Sequence, residues 1–277
     1  METLWIILLG IVQGTTEFLP VSSSGHLAAA QLLLGHLPAA ANLSDQPLTL
    51  EILLHVATLF AVAVYFRRSL LGAFQGAGRL IVAVFTGRYQ GVLREDSDAR
   101  LALAVVLGTL PTGFFGLFLK DTAGVVSSSP IPLGFTFLGC SVLLFASRYW
   151  VGGTKQLSWR IALVIGCVQG IAVLPGLSRS GATIAVGLAL GLSRDEAARF
   201  SFLLSLPAIL GAAVLELDGE ALLLDHRLFA YLAGGAAAFV TGLLALYALV
   251  RIVRHGRLWL FAPYVAAVGL ATIFLVQ

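Results

Sequence analysis

An arginine stands in an apolar stretch of this 277-residue chain, where an ionised side chain is costly and indicates a functional role. Arg179 lies in the motif Pro-Gly-Leu-Ser-Arg-Ser-Gly-Ala-Thr, residues 175–183. Its guanidinium group can donate two hydrogen bonds to phosphate oxygens, and the N–H groups that begin the next helix add donors. Three hydroxyls of the motif supply more, those of Ser178, Ser180 and Thr183. The motif predicts an anion site; the alternative is that Arg179 only neutralises Glu17 while the serines bond to helix carbonyls.

A second polar motif runs from Gln13 to His26 and reads Gln-Gly-Thr-Thr-Glu-Phe-Leu-Pro-Val-Ser-Ser-Ser-Gly-His. Gln13 and Glu17 are four residues apart, so they share one face of a helix. Phosphoryl transfer needs a nucleophile, a base or metal ligand, and a proton donor beside a positive group. Glu17 and His26 fit the last two roles, and the nucleophile would be one of Ser22, Ser23 and Ser24. Two alternatives stay open: the serines form only a hydrogen-bonded turn, and His26 has a structural role.

The other polar or reactive side chains of the apolar segments can be explained by structural roles. Glu51 and His55, again four residues apart, fit a hydrogen-bonded pair at the membrane interface as well as a place in the same cavity. Ser193 and Glu196 have the spacing of a capping box, which predicts a solvated helix N-terminus. The two cysteines are expected to be small core residues, because two are too few for a disulfide framework.

The composition indicates that residues 1–277 form a single membrane domain. Hydrophobic residues make up 58% of the sequence and charged residues only 11%, about half of the share in soluble domains. The mean hydropathy is +0.95, and no stretch is polar enough for a separate soluble domain. The net charge of +3 comes from basic residues beside apolar runs, where they mark topology, so we expect no nucleic-acid binding. The N-terminus lacks the basic residues of a signal peptide, and we expect the first segment to be retained.

Six segments are long and apolar enough for transmembrane helices, which need about 20 residues each. They are residues 50–66, 101–119, 131–150, 199–217, 228–250 and 258–276. Basic residues concentrate after the first, third and fifth segments, so the positive-inside rule predicts that these loops are cytoplasmic and that the C-terminus faces outward. The longest of these loops, residues 67–100, is expected to form interfacial helices.

Two further apolar stretches are interrupted, residues 2–35 by Pro20 and the serine run, and residues 160–191 by the arginine motif. Broken backbone at membrane depth needs protein or a water-filled cavity around it, so each stretch predicts a re-entrant helical hairpin. Both contain Gln-Gly, Leu-Pro and Ser-Gly in that order, with twelve residues from the glutamine to the last glycine. This similarity indicates an inverted repeat, about 1–120 and about 131–277, whose hairpins enter from the outer and the cytoplasmic face and meet at the site. The predicted fold is an all-α integral membrane protein.

At these motifs the chain resembles the undecaprenyl-pyrophosphate phosphatases, the bacitracin-resistance family of bacterial membrane enzymes. The family carries a Glu- or Gln-x-x-x-Glu motif running into Phe-Leu-Pro-Val-Ser-Ser-x-Gly-His, found here at 13–26, and Pro-Gly-x-Ser-Arg-Ser-Gly-Ala-Thr, found here at 175–183. Residues 200–204 also match, and the resemblance covers nearly the whole chain. It implies hydrolysis of undecaprenyl diphosphate to the monophosphate carrier of cell-wall synthesis, with consequences for cell shape and bacitracin resistance, in the bacterial cytoplasmic membrane.

The resemblance also implies a divalent cation, Mg²⁺ or Ca²⁺, and a site reached from the outer face. By position, the catalytic residues would be Glu17, Ser23, His26 and Arg179, with Glu17 as a metal ligand. The substrate-binding residues around them would be Gln13, Ser22, Ser24, Ser178, Ser180 and Thr183. Many members have glutamate at position 13; the glutamine found here excludes a base or a strong metal ligand, although its amide can bind metal or water.

We therefore expect the hairpin tips to meet, with Arg179 holding the diphosphate and Ser23 attacking the terminal phosphorus. Glu17 would activate Ser23 or bind the metal, and His26 would protonate the leaving oxygen or later activate water. The choice between Ser23 and His26 as nucleophile stays open. The expected partners are the polyprenyl diphosphate, whose tail would lie in a groove between spans, and membrane lipids.

Other functions fit parts of this pattern. Inverted repeats with broken helices are typical of transporters, so a flippase for a phosphorylated polyprenyl lipid is the main alternative. An anion channel would explain Arg179 but not the acid and base side chains near it. The small-residue pattern from Gly234 to Ala238 permits a homodimer and serves equally well for packing within one chain.

Overall fold

Helices make up all of the regular structure in the residues that the computed structural model describes, 2–34, 48–216 and 228–275. In chain order they are α1 (Glu2–Phe18), α2 (Ser23–Leu34), α3 (Leu48–Tyr65), α4 (Arg67–Phe85), α5 (Tyr89–Glu95), α6 (Ser97–Phe118), α7 (Lys120–Ser127), α8 (Pro130–Ala146), α9 (Trp159–Ile171), α10 (Arg179–Ala189), α11 (Arg194–Glu216), α12 (Leu228–Arg254) and α13 (Ala262–Leu275), with a 3₁₀ turn at Leu258–Phe261 before α13. The all-α prediction is confirmed for these residues.

Four of these helices are long and apolar enough to cross a membrane: α6, α11, α12, and α13 with its preceding turn. Two bent pairs raise the number to six if each counts as one span, α3 with α4 at 81° and α7 with α8 at 108°. Each of the six predicted segments coincides with a helix, and the chain is a multi-pass integral membrane protein. The predicted ends at 217 and 276 lie outside the described residues.

Polar caps set the start of two spans. Asp96 accepts hydrogen bonds from the N–H groups of Asp98 (2.9 Å) and Ala99 (3.1 Å), so α6 begins four residues before its predicted start. A hydrogen bond from Arg79, 2.6 Å away, lowers the pKa of the Asp96 carboxyl, so this cap stays ionised to a lower pH than a free aspartate would. Ser193 caps α11 as predicted, which likewise extends that helix toward the N-terminus.

The two interrupted stretches are pairs of short helices joined by a turn, α1 with α2 and α9 with α10. A bilayer core of about 30 Å needs about 20 helical residues, whereas α2, α9 and α10 have 12, 13 and 11. The first turn contains Ser22, the one non-glycine residue with positive φ (67°) among the described residues, and the second contains Gly176, with φ of 92°. This left-handed backbone breaks both helices where the motifs predicted a break.

Small residues let the first helix of each hairpin pack closely against a span. A Cβ atom at Gly234 of α12 would come 2.7 Å from a side-chain carbon of Ile6 on α1. A Cβ atom at Gly170 of α9 would come 2.6 Å from the Cβ of Phe115 on α6. Ala238, one turn beyond Gly234, is fully buried. The small-residue pattern on α12 therefore serves packing within the chain.

Candidate active site

The turns of the two hairpins contact each other, as the hypothesis of meeting tips predicts. The Ser22 Oγ accepts hydrogen bonds from the N–H groups of Gly176 (3.0 Å) and Gly25 (3.3 Å). In the other direction, the Ser180 hydroxyl donates to the carbonyl oxygen of Phe18 at 2.9 Å. Both serines are buried. These bonds hold the end of α1 against the start of α10.

An ion pair between Glu17 and Arg179 lies at this junction, joining Oε1 to Nη2. The other carboxylate oxygen, Oε2, accepts hydrogen bonds from Gln13 Nε2 at 3.2 Å and from Ser23 Oγ at 3.1 Å. The Nε2 of His55 lies 3.6 Å from the same oxygen. The Glu17 side chain is 5% exposed and the Arg179 side chain 29%. The carboxylate is thus enclosed by polar partners, while the guanidinium group stays accessible to a ligand.

The helix ends add to the electrostatics of this pair. Glu17 lies in the last turn of α1, where the helix dipole is negative, and Arg179 begins α10, where the dipole is positive. Each charge stands at the helix end that disfavours it, so each depends on its partner. A guanidinium group has five N–H donors, and the bond to Glu17 uses one nitrogen. The remaining donors and the start of α10 can bind an oxyanion such as phosphate.

The other hydroxyls of the arginine motif bond to backbone groups. Ser178 caps α10 by accepting a hydrogen bond from the N–H of Gly181 at 3.1 Å, and its own N–H donates to Cys140 Sγ at 3.3 Å. Thr183 donates to the carbonyl oxygen of Arg179 at 2.8 Å. The Thr183 bond to a helix carbonyl is the kind of contact that the structural alternative predicts for the serines, whereas the Ser178 hydroxyl caps the helix. Phosphate binding by Ser178 and Thr183 stays a prediction.

His26 contacts partners outside the ion pair. Its Nδ1 lies 2.9 Å from the carbonyl oxygen of Ser22, and its Nε2 lies 2.8 Å from the hydroxyl of Tyr264 on α13. Ser24, also predicted as a site residue, is exposed. The structure therefore brings Gln13, Glu17, Ser23 and Arg179 into contact and places His26 against the last helix.

A small cavity beside the ion pair contains residues that sequence reasoning missed. It lies between α1, α3, α10 and α11 and has room for about one water molecule. Its polar lining consists of Glu17, Thr58, Arg179, Ser180, Ser201 and Ser205. The buried Ser201 hydroxyl has no hydrogen-bond partner among the described residues, so it is suited to a water or a ligand oxygen. The sequence signal for Ser201 and Ser205 was their spacing of four residues in one apolar span, which places both hydroxyls on one helix face. The sequence gave no comparable signal for Tyr264. The side chain of Glu51 lies outside the described part of the structure.

The oxygen ligands at the junction fit a cation that also binds the phosphates of the substrate. The described residues contain no group of three or more His, Cys, Asp or Glu side chains that could hold a metal ion. Mg²⁺, however, is often held by one or two carboxylates together with substrate phosphates and waters. Glu17, with the amide oxygen of Gln13 one helical turn away, fits that mode.

The comparison with known proteins decides the family. Residues 6–271 match the family described as bacitracin resistance protein BacA. The chain belongs to this family. The undecaprenyl-diphosphatase of Desulfatibacillum aliphaticivorans is 44% identical over 274 residues, 97% of each chain. That of Alkaliphilus metalliredigens is 40% identical over 274 residues, again 97% of each chain, and that of Korarchaeum cryptofilum is 38% identical over 277 residues, 99% of this chain and 100% of the relative. Both motifs of this BacA-family chain lie inside the matched region.

Gly25→Ala is expected to destabilise this BacA-family fold by separating the hairpin tips. A Cβ atom at position 25 would lie 2.6 Å from the backbone nitrogen of Gly176 and 2.6 Å from a ring carbon of Phe137, and such overpacking costs about 1–3 kcal/mol. Gly139 of α8 has open space at its Cβ position, so Gly139→Ala is the control and should be neutral or stabilise by up to about 1 kcal/mol. Melting temperatures in detergent test this, and equal values for the two variants would contradict the close contact.

Proposed function

We propose that the chain hydrolyses undecaprenyl diphosphate to undecaprenyl phosphate and inorganic phosphate. The observation that carries the proposal is the buried Glu17 carboxylate, which pairs with Arg179 and accepts a hydrogen bond from Ser23 where the hairpins meet. A base, a hydroxyl nucleophile and a phosphate-binding cation are thus joined in one junction. The relatives named undecaprenyl-diphosphatase support the choice of substrate.

The chemistry proceeds in two steps. Arg179 and the N–H groups at the start of α10 hold the terminal phosphate, and Ser23 Oγ bonds to its phosphorus as the bridging P–O bond breaks. The electron pair of that bond leaves with undecaprenyl phosphate, and the Ser23 proton passes to Glu17, 3.1 Å away. Water then attacks the phosphoserine, inorganic phosphate leaves, and Ser23 recovers its proton from Glu17. This assignment prefers Ser23 to His26 as nucleophile, because Ser23 is the one in contact with the carboxylate.

The first carbons of the polyprenyl tail would lie against apolar side chains beside the ion pair. The cavity there is lined on its apolar side by α3 and α11, through Leu59, Val62, Phe202 and Ile209. We place the enzyme in the bacterial cytoplasmic membrane, where its product returns to cell-wall synthesis, and the family name links the activity to bacitracin resistance.

Two re-entrant hairpins, six spans and an inverted repeat complete the proposal. In repeats related by a two-fold axis, each contact from the first repeat to the second has a counterpart from the second to the first. If the hairpin of one repeat packs against a span of the other, the second hairpin should therefore do the same. Accordingly α1 packs most extensively against α12 and α9 against α6, which are the second spans of the two repeats. The pairs α3 with α11 and α8 with α13 join corresponding spans. This pattern supports one domain over 1–277 and extends the first repeat, predicted to end near 120, through α8.

Release of inorganic phosphate distinguishes an enzyme from a flippase. Detergent-purified protein is mixed with undecaprenyl diphosphate and Mg²⁺ or Ca²⁺, and both inorganic phosphate and undecaprenyl phosphate are measured. We expect equal amounts of the two products. A carrier that only moves the lipid across a bilayer releases neither, so folded protein without turnover under either cation would make the flippase the better proposal.

Divalent cations should control the turnover through the carboxylate of Glu17. A chelator is expected to lower phosphate release to below about 1% of its initial rate, and Mg²⁺ or Ca²⁺ should restore it, because a cation shields the diphosphate during attack. Gln13→Glu adds a second carboxylate one turn from Glu17, so the cation concentration for half-maximal rate should fall by about tenfold. Gln90→Glu on α5 is the control. A cation requirement that Gln13→Glu leaves unchanged would contradict a metal ligand at this end of α1.

A further inference from the structure

His26 is held by groups from two other helices, α8 and α13, and from the first turn. The carbonyl oxygen of Ser22 lies 2.9 Å from Nδ1, and the hydroxyl of Tyr264 lies 2.8 Å from Nε2. The rings of His26 and Tyr264 stack, with centroids 5.6 Å apart and planes 5° apart. Phe137 of α8 packs its ring edgewise at 5.5 Å and 88°. The orientation of the imidazole is thus fixed by hydrogen bonds at both ring nitrogens and by ring stacking on one face.

These partners select one tautomer of the neutral ring. A carbonyl oxygen only accepts hydrogen bonds, so Nδ1 carries the ring proton and donates it to Ser22. The bare Nε2 then accepts, and Tyr264 donates its hydroxyl proton to it. Hydrogen-bond partners that fix the tautomer in this way also fix which ring nitrogen can accept a proton. In this state Nε2 can take up a proton but has none to give.

We propose that Tyr264 is a positioning residue, which keeps His26 as a proton acceptor for the second step of the reaction. The inference rests on the proposed function and deepens it, because it chooses the base role of His26 over the acid role. Water attacks the phosphorus of phosphoserine 23, its O–P bond forms, and the Ser23 Oγ–P bond breaks. The water proton goes to Nε2 of His26, and Ser23 Oγ takes the proton held by Glu17. The attacking water takes the place beside Nε2 that the Tyr264 hydroxyl occupies in the free protein.

The last helix, α13, thereby contributes a residue to the site. The other site residues come from the two motifs, which lie far from α13 in the sequence. Tyr264 is 51% exposed, so its hydroxyl can give way to water without disturbing the core. Its separation of 238 residues from His26 explains why no spacing rule connects the two. Pro263 and Val265 beside it carry no side chain that could replace the donor.

Tyr264→Phe removes the hydroxyl and keeps the stacked ring, so it isolates the hydrogen bond. We expect kcat to fall by about three- to tenfold, the range for one hydrogen bond, with KM within about twofold of wild type. Because the second step is the slowed one, a burst of undecaprenyl phosphate should precede steady release of inorganic phosphate, with phosphoserine accumulating. His26→Gln should give a larger burst, and Tyr264→Phe should add nothing in that background. Tyr247→Phe, another exposed tyrosine, is the control and should match wild type.

Nitrogen-15 spectra of histidine-labelled protein test the same contact without any turnover, with His26→Gln used for assignment. The expected spectrum has a protonated Nδ1 and a hydrogen-bonded, unprotonated Nε2, and Tyr264→Phe shifts the Nε2 signal. A protonated Nε2 in neutral His26, or a Tyr264→Phe variant with unchanged spectrum and no burst, would overturn the inference. Absence of turnover in wild type would instead count against the proposed function, and the spectrum would still decide whether Tyr264 holds His26.

Discussion

Arg179→Met should lower kcat/KM for undecaprenyl diphosphate by about 10³-fold or more, the scale on which a positioned arginine acts in phosphoryl transfer. The guanidinium group pairs with the Glu17 carboxylate at the junction and is also accessible, at 29% exposure of the Arg179 side chain. Methionine keeps the length and apolar stem of the side chain but removes every donor. Phosphate release and substrate affinity are both measured, and we expect the loss in both, since the same group binds substrate and stabilises the transferring phosphate.

A double variant separates this role from mere charge neutralisation. Arg179→Met leaves the enclosed Glu17 carboxylate without its main partner, which lowers the melting temperature. Adding Glu17→Gln removes the stranded charge, so the double variant should recover stability while phosphate release stays lost. Recovery of phosphate release as well would mean that the pair is only structural. Arg199→Met is the matched control, because Arg199 pairs with Glu196 at a similar exposure of 24% outside the junction, and its activity should stay within about twofold of wild type.

Ser23→Ala should reduce phosphate release by about 10⁴-fold or more, since removing a serine nucleophile can cost up to about 10⁶-fold in kcat. Its Oγ lies 3.1 Å from the carboxylate that accepts its proton, and it is the serine of the run that makes this contact. Alanine removes little volume, so the melting temperature should change little. Ser128→Ala is the control, because Ser128 is exposed and lies outside both motifs, and its turnover should stay within about twofold of wild type.

Covalent labelling distinguishes the two candidate nucleophiles. Substrate carrying a labelled terminal phosphate should label Ser23 in the His26→Gln variant, where hydrolysis of the phosphoserine is slowed. Ser23→Ala should take up no label. Label retained in Ser23→Ala and lost in His26→Gln would identify His26 as the nucleophile and overturn the assignment made here.

Much of the site followed from residue type and local spacing. Gln13 and Glu17 were expected on one helix face, and the structure shows their side chains hydrogen-bonded at 3.2 Å. The breaks around Ser22 and Gly176 were expected from proline, glycine and serine runs in apolar sequence, since only special backbone conformations end a helix there. The apolar helices at the six predicted segments followed from length and hydropathy, because lipid imposes nearly the same requirement on every crossing.

Contacts across the bundle did not follow in the same way. His55 was a weak candidate from its spacing to Glu51, yet its Nε2 lies 3.6 Å from Glu17. The partner of His26 comes from α13, and the unpaired hydroxyl of Ser201 comes from an unbroken span whose matching segment, residues 200–204, gave no sign that it lines the site. Such neighbours depend on the rotation and depth at which helices pack, which hydropathy does not encode.

The sequence by itself determined that this is a helical membrane protein with two broken segments, that Arg179 and Glu17 are candidates for its chemistry, and which family it resembles. These properties depend on the chain's local composition and on the cost of charge in lipid. Tertiary structure alone decided that the two tips join through Ser22 and Ser180, that Ser23 reaches the carboxylate, and that His26 turns toward Tyr264. Those outcomes are set by helix packing, in which residues far apart in sequence become hydrogen-bond partners.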